Sequence, residues 1–297
     1  MKCLRKFLSE ALISTKISNY RPFEFYPKDK AELIQIIAGL MKEHGNNCDL
    51  NIIDVSNIKD MVDLFCPGKK INDVDLSEFN GDISRWNTKN VIDMSFMFAG
   101  SLYTGENGDL SNWDVSNVEN MTSMFQNSKY VGKFTNWKTT NLKKCSNMFR
   151  EAIFDGDLSM LNVSNVIITN GMFRNSNYTG ENGDISNWDV SNVERMAYMF
   201  AGEHCKYNGD ISKWQMNNVT SLDCMFLNNK TFNGDISNWN LLKVRSMSNM
   251  FNESKFSGDL SKWKPLQNCY IIDMFRKSPL ARKKPYWAQR SDKFVKY

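Results

Sequence analysis

Nine times along the chain a large apolar residue is followed, twelve positions later, by a phenylalanine. The first member is Trp86, Trp113, Trp137, Trp188, Trp214, Trp239 or Trp263, with Ile53 and Leu161 completing the series. The second is Phe65, Phe98, Phe125, Phe149, Phe173, Phe200, Phe226, Phe251 or Phe275. All variation in repeat length falls between a Phe and the next Trp, so insertions belong to one connecting loop while the other half of each unit keeps fixed dimensions. A unit of about 25 residues cannot bury its own apolar face, and equivalent units must stack into a shared interior.

The fixed half reads, at its fullest, Gly108-Asp109-Leu110-Ser111-Asn112-Trp113-Asp114-Val115-Ser116-Asn117-Val118, continuing to Met124-Phe125. The pattern predicts a short extended segment over 109–113. It also predicts a short helix or turn carrying Val118, Met121, Met124 and Phe125, whose steps suit one helical face. Residues 103–118 nearly recur at 178–193, which marks a duplication of three repeats. The expected fold class is therefore an α/β repeat solenoid of nine stacked units, each with a short strand and a short helix or turn. Rungs about 4.8 Å apart would build a sheet on the order of 40 Å long. The eight Trp and 17 Met find their explanation here, as core residues of the stack. Leu161 and Ile53 replace Trp without breaking the series, as expected of an apolar slot and not of an aromatic binding platform.

Two polar series follow the same register. Asp stands four residues before the Trp position at Asp49, Asp82, Asp109, Asp157, Asp184, Asp210, Asp235 and Asp259, with Lys133 as the exception. Each is expected to accept backbone N–H bonds in its own Gly-Asp turn. A calcium ladder is the alternative, and Lys133 would interrupt it. Asn stands four residues after the Trp position at Asn57, Asn90, Asn117, Asn141, Asn165, Asn192 and Asn218, before giving way to Lys243 and Gln267. These side chains are expected to bond the backbone of the adjacent repeat in a buried turn, where polar groups must be paired.

Gly183-Asp184-Ile185-Ser186-Asn187-Trp188-Asp189-Val190-Ser191-Asn192-Val193, followed by Met196 and Met199-Phe200, resembles the repeats of the BspA-like leucine-rich-repeat proteins. The resemblance covers about residues 46–275 and implies a leucine-rich-repeat-like solenoid, a fold that many family members display on bacterial cell surfaces. The opening Lys6-Phe7-Leu8-Ser9-Glu10-Ala11-Leu12 is similar to leaders on repeat proteins of this type encoded by gut bacteriophages.

The chain divides into a basic amphipathic extension (1–27), a capping helix (28–45), nine repeats (46–275) and a basic aromatic tail (276–297). In the helix, Leu33, Ile36, Ile37, Leu40 and Met41 share one face, Pro27 precedes it, and Asp29 and Glu32 lie in its first turn. Ahead of it, Leu4, Phe7, Leu8 and Leu12 define a second amphipathic stripe, which either packs back on the protein or docks into a partner. The tail mixes Arg282, Lys283 and Lys284 with Trp287 and other rings, a composition suited to nucleic acid or an acidic protein surface. The other reading is a solvated tail covering the last repeat, so that its removal would leave the fold intact. Charge is segregated: residues 31–275 carry 22 basic and 29 acidic side chains, a net −7 between two basic ends.

The seven cysteines are irregularly spaced and odd in number, which argues against a disulfide framework and for a reducing compartment or scattered buried thiols. Glu10 and Lys16 interrupt the apolar stretch that an export signal needs, and no run is long enough to cross a membrane. His44 and His204 stand in no nucleophile or metal-ligand pattern, and no phosphate-binding glycine loop occurs. No catalytic residue, metal or cofactor is expected. The expected role is a non-enzymatic structural or interaction module in a larger assembly such as a bacteriophage virion. There Leu4, Phe7, Leu8, Leu12, Arg282, Lys283, Lys284 and Trp287 would meet protein partners, capsid or portal proteins among them, and not nucleic acid. Its place would be the virion or host cytoplasm. The alternative is a cell-surface adhesin that binds a protein or glycan through one face of the solenoid.

Overall fold

A computed structural model describes residues 23–68 and 70–289. Its first element, α1 (Lys30–His44), begins where the sequence signals it. The Asp29 carboxylate accepts the Glu32 N–H at 2.9 Å, and the Glu32 carboxylate accepts the Lys28 N–H at 3.0 Å, so two otherwise orphaned donors are satisfied. Gly45 ends the helix at φ 82°, donating to the Met41 carbonyl. Leu33, Ile37, Ala38, Leu40 and Met41 are buried against the first repeat, and Ile36 is half-buried beside them. Lys30 lies 3.5 and 3.3 Å from the carboxylates of Asp60 and Asp63, fixing the helix start to that repeat.

A hairpin, β1 (Lys70–Ile71) and β2 (Val74–Asp75), fills the long connection after Phe65. Asn72 and Asp73 between its strands have φ 50° and 68°, the left-handed pair that a two-residue hairpin turn requires. A 3-10 turn (Leu76–Glu78) follows. At the far end a second 3-10 turn (Pro279–Arg282) leads into the four-residue α2 (Tyr286–Gln289).

The repeats between these ends are joined by single parallel bridges running Asp60, Asp93, Asn120, Lys144, Ile168, Arg195, Ser221, Ser246, Tyr270. The bond pattern explains why neither a long strand nor a helix forms. From one repeat, the N–H groups of Met121, Ser123, Phe125 and Asn127 reach the carbonyls of Lys144, Ser146, Met148 and Arg150 in the next at 2.7–2.9 Å. The intervening N–H groups of Met124, Gln126 and Ser128 turn back to Met121, Ser123 and Phe125. Ser123 and Asn127 take φ 57° and 52°. Left-handed residues interleaved with turns thus present every second donor to the neighbouring repeat. The apolar steps at Val118, Met121, Met124 and Phe125 that suit a helical face arise here from this ribbon of turns.

The segment expected to be extended, 109–113, is likewise a turn: the Trp113 N–H donates to the Leu110 carbonyl at 3.1 Å. Asp109 draws the Ser111 N–H onto its own carboxylate at 3.0 Å, and local bonding of this kind competes with a strand ladder. Pairing between repeats therefore sits ten residues further along, at 119–127.

One apolar core runs from Leu33 in α1 to Ala288 in α2. Through it pass three columns of rings. The nine Phe of the repeat motif form the first, consecutive centroids lying 5.4 to 6.1 Å apart with planes within 12°. The indoles form the second, as Trp86 on Trp113 and Trp239 on Trp263 show at 6.1 and 6.3 Å. Each indole N–H also crosses to the preceding repeat, Trp113 to the Ile83 carbonyl at 3.0 Å and Trp188 to Leu158 at 3.1 Å. The third column comprises Phe79, Tyr103, Tyr130 and Phe154, then Tyr178, Tyr207, Phe232 and Phe256.

Candidate interaction surface

The two polar series of the repeat are consumed by the architecture. All eight aspartates of the first series accept the N–H two residues on, at 2.7–3.0 Å, from Asn51, Ser84, Ser111, Ser159, Ser186, Ser212, Ser237 and Ser261. Backbone donation from Ser212, Ser237 and Ser261 holds the Asp210, Asp235 and Asp259 carboxyls below their ordinary value of 3.8. Among the described residues no three of His, Cys, Asp and Glu group as metal ligands. The asparagine series forms a ladder: Asn90, Asn117, Asn141, Asn165, Asn192 and Asn218 each donate to a carbonyl of the preceding repeat at 2.7–2.8 Å. Expected in a buried turn, it lies at the surface instead, with five of these six side chains exposed. It fastens the outside of the molecule.

The remaining surface residues vary from repeat to repeat on a constant backbone. They line the ridge formed by the bridged segments. Two residues before each motif Phe the chain is left-handed: Asp63, Phe96, Ser123, Asn147, Gly171, Tyr198, Cys224, Asn249 and Asp273 all have φ between 52° and 65°. Gly171 meets that demand without strain, whereas Phe96 and Tyr198 carry rings there at 42 and 37% exposure. A bulky residue at positive φ costs about 1–2 kcal/mol, and more than a third of each ring residue still faces solvent. Exposed strain of this kind is characteristic of contact sites. Ile92 and Ile167 stand exposed on the same ridge, and Arg174 lies over the Tyr198 ring at 5.3 Å.

The C-terminal positions expected to meet partners have different settings. Arg282 and Lys283 are exposed, and Lys284 is half-buried. Trp287 turns inward. Its ring stacks on Trp263 at 6.1 Å, and its N–H donates to the Leu260 carbonyl at 2.8 Å, the bond every motif indole makes. It is the last member of the indole column, 24 residues after Trp263. Leu4, Phe7, Leu8 and Leu12 lie outside the described residues. Two cavities among the described residues lie where the motif ends or is interrupted. One of about 330 Å³ lies between the ninth repeat and the C-terminal turns, and one of about 340 Å³ opens where Lys133 and Leu161 interrupt the motif.

Cys48, Cys145, Cys205, Cys224 and Cys269 are free thiols. Burial pushes Cys145 and Cys205 up to about 12, which leaves them unreactive at neutral pH. The sequence reading passed over the third ring column, although an aromatic five residues after Phe98, Phe125, Phe149, Phe173 and Phe251 signals it. It also passed over Phe96 and Tyr198, since sequence spacing carries no sign of φ.

A family model described as "Mycoplasma protein of unknown function, DUF285" matches the chain three times, at residues 35–153, 102–203 and 176–286. No curated protein and no solved structure matches it. No helix among the described residues is long and apolar enough to cross a membrane.

Proposed function

The chain belongs to the DUF285 family, a BspA-like repeat family in the broad sense; since that description carries no activity, we propose from the geometry that it is a non-enzymatic interaction module. In this reading the stacked turns form a leucine-rich-repeat-like solenoid, and its ridge of bridged segments binds a protein partner inside a larger assembly. The carrying observation is the contrast between Phe96 or Tyr198 and Gly171. All three hold the same backbone position, yet two keep a strained, exposed ring that the fold does not require. The recurring carboxylates, already bonded within their turns, support a scaffold over an active site. The assembly we favour is a bacteriophage particle, with this chain beside the capsid or portal.

The test pairs Phe96→Gly with Tyr198→Gly in the full chain and reads both melting temperature and abundance in purified particles by mass spectrometry. The reading expects a melting temperature unchanged or raised, with incorporation lost. Full incorporation of the double variant would overturn the ridge as the binding face. A chain absent from particles that instead binds host cells would replace the virion placement with the adhesin alternative.

A further inference from the structure

We propose that the outer edge of the ninth repeat binds an extended acidic segment of a partner protein by parallel backbone pairing. This deepens the reading of the chain as an interaction module, using the open C-terminal end of the same ridge, apart from Phe96 and Tyr198. The pairing between repeats is polar. After each bridge the alternate donors point toward the C-terminal neighbour: Met247, Asn249, Phe251 and Glu253 donate to the carbonyls of Tyr270, Ile272, Met274 and Arg276 at 2.7–2.9 Å, whereas the N–H at the bridge itself points back, as Tyr270 does to Arg245 at 2.8 Å. In the ninth repeat the equivalent N–H groups of Ile271, Asp273, Phe275 and Lys277 have no acceptor among the described residues. Four donors in one row form the template that β-augmentation uses.

The C-terminal turns cap the core and leave this row uncovered. Trp287 closes the indole column and Leu280 is buried, yet a cavity of about 330 Å³ remains between the ninth repeat and these turns. Met274, Phe275, Ala281 and Ala288 give it apolar walls, and Asp273 and Lys284 lie at its rim. Every bridge between repeats among the described residues is parallel, so a segment completing the pattern runs parallel to 271–277.

Charge selects the occupant. Residues 270–289 hold five basic side chains, Arg276, Lys277, Arg282, Lys283 and Lys284, against Asp273 alone. Arg276 and Lys277 already approach Asp273 and Glu253 at 3.8 and 2.7 Å, while Arg282 and Lys283 are exposed. An acidic segment is attracted there. The chain's own residues 290–297 carry three basic groups against one acidic, so their charge does not match this edge. A second copy presenting its first repeat meets Lys30 of α1 lying across Asp60 and Asp63.

The experiment measures amide hydrogen exchange of the full chain, alone and with a short synthetic peptide of alternating Glu and Val, with a Lys and Val peptide as control. In the free chain, amides 271, 273, 275 and 277 should exchange fast while 247, 249, 251 and 253 exchange slowly. The acidic peptide should slow the first set by about tenfold or more, the basic peptide should not, and Arg282→Glu with Lys283→Glu should weaken the effect. Exchange at 271–277 unmoved by the acidic peptide, or equal protection by both peptides, overturns the proposal. So does protection in the free chain that grows with protein concentration (a second copy) or vanishes on removing 290–297 (its own tail). If edge protection fails while particle incorporation still depends on Phe96 and Tyr198, the module reading stands and only this inference falls.

Discussion

At the scale of single residues, the account rests on side chains that link one repeat to the next. Trp188 is buried, and its indole donates to Leu158, so Trp188→Ala should cost about 3–5 kcal/mol in chemical denaturation; an unchanged midpoint would contradict its placement. Gly183 faces a tighter constraint, because a β-carbon there would stand 2.4 Å from the Asp157 Cα of the preceding repeat. Gly183→Ala should therefore lower stability by about 1–3 kcal/mol, measurable as a drop in melting temperature. The turn aspartates set the acid limit. Bonds from Ser116 and Ser191 hold Asp114 and Asp189 below their ordinary value of 3.8, so their contribution is complete above that value and is lost as pH falls through the lower folded values. The urea midpoint should fall below about pH 4, and Asp114→Asn, which keeps the turn acceptor, should perturb neutral stability less than Asp114→Ala. These roles were legible because nine copies act as an internal alignment: what recurs holds the fold. Phe96 and Tyr198 were not legible, since their significance lies in a backbone angle.

At the scale of elements, α1 was readable from capping chemistry alone: Pro27, Asp29, Glu32 and a following apolar face specify its start and its buried side. The repeat interior was less readable. Steps of three and one between apolar residues suit a helix, but left-handed residues at Ser123 and Asn127 convert the same spacing into turns whose free donors face the next repeat. Asp109 closes its own turn and so displaces pairing to 119–127. The C-terminal segment also changes character. Read from sequence, 276–297 is a tail that the fold can spare, whereas Trp287 and Leu280 cover the end of the core. Deleting 276–297 should lower the melting temperature, by exposing Trp263 and Phe275, further than deleting 290–297 alone does. Equal melting of both truncations would show that the terminal turns contribute no cap.

At the scale of the molecule, the repeats share a single core with no break between Leu33 and Ala288, and an acidic body separates two basic ends. The stack has a direction as well as a length, because the alternate backbone donors after each bridge point to the C-terminal neighbour, while the N–H at the bridge, the indoles and the asparagine ladder point back. The central claim is that this directional pairing joins all nine repeats. Residue-resolved amide exchange tests it most directly at the left-handed position of each repeat, whose N–H is bonded to the next repeat's carbonyl in the first eight repeats. Slow exchange at Asp63, Phe96, Ser123, Asn147, Gly171, Tyr198, Cys224 and Asn249, with fast exchange at Asp273, is the result the account predicts. Fast exchange at all nine, or a slow Asp273 in the isolated chain, would contradict it.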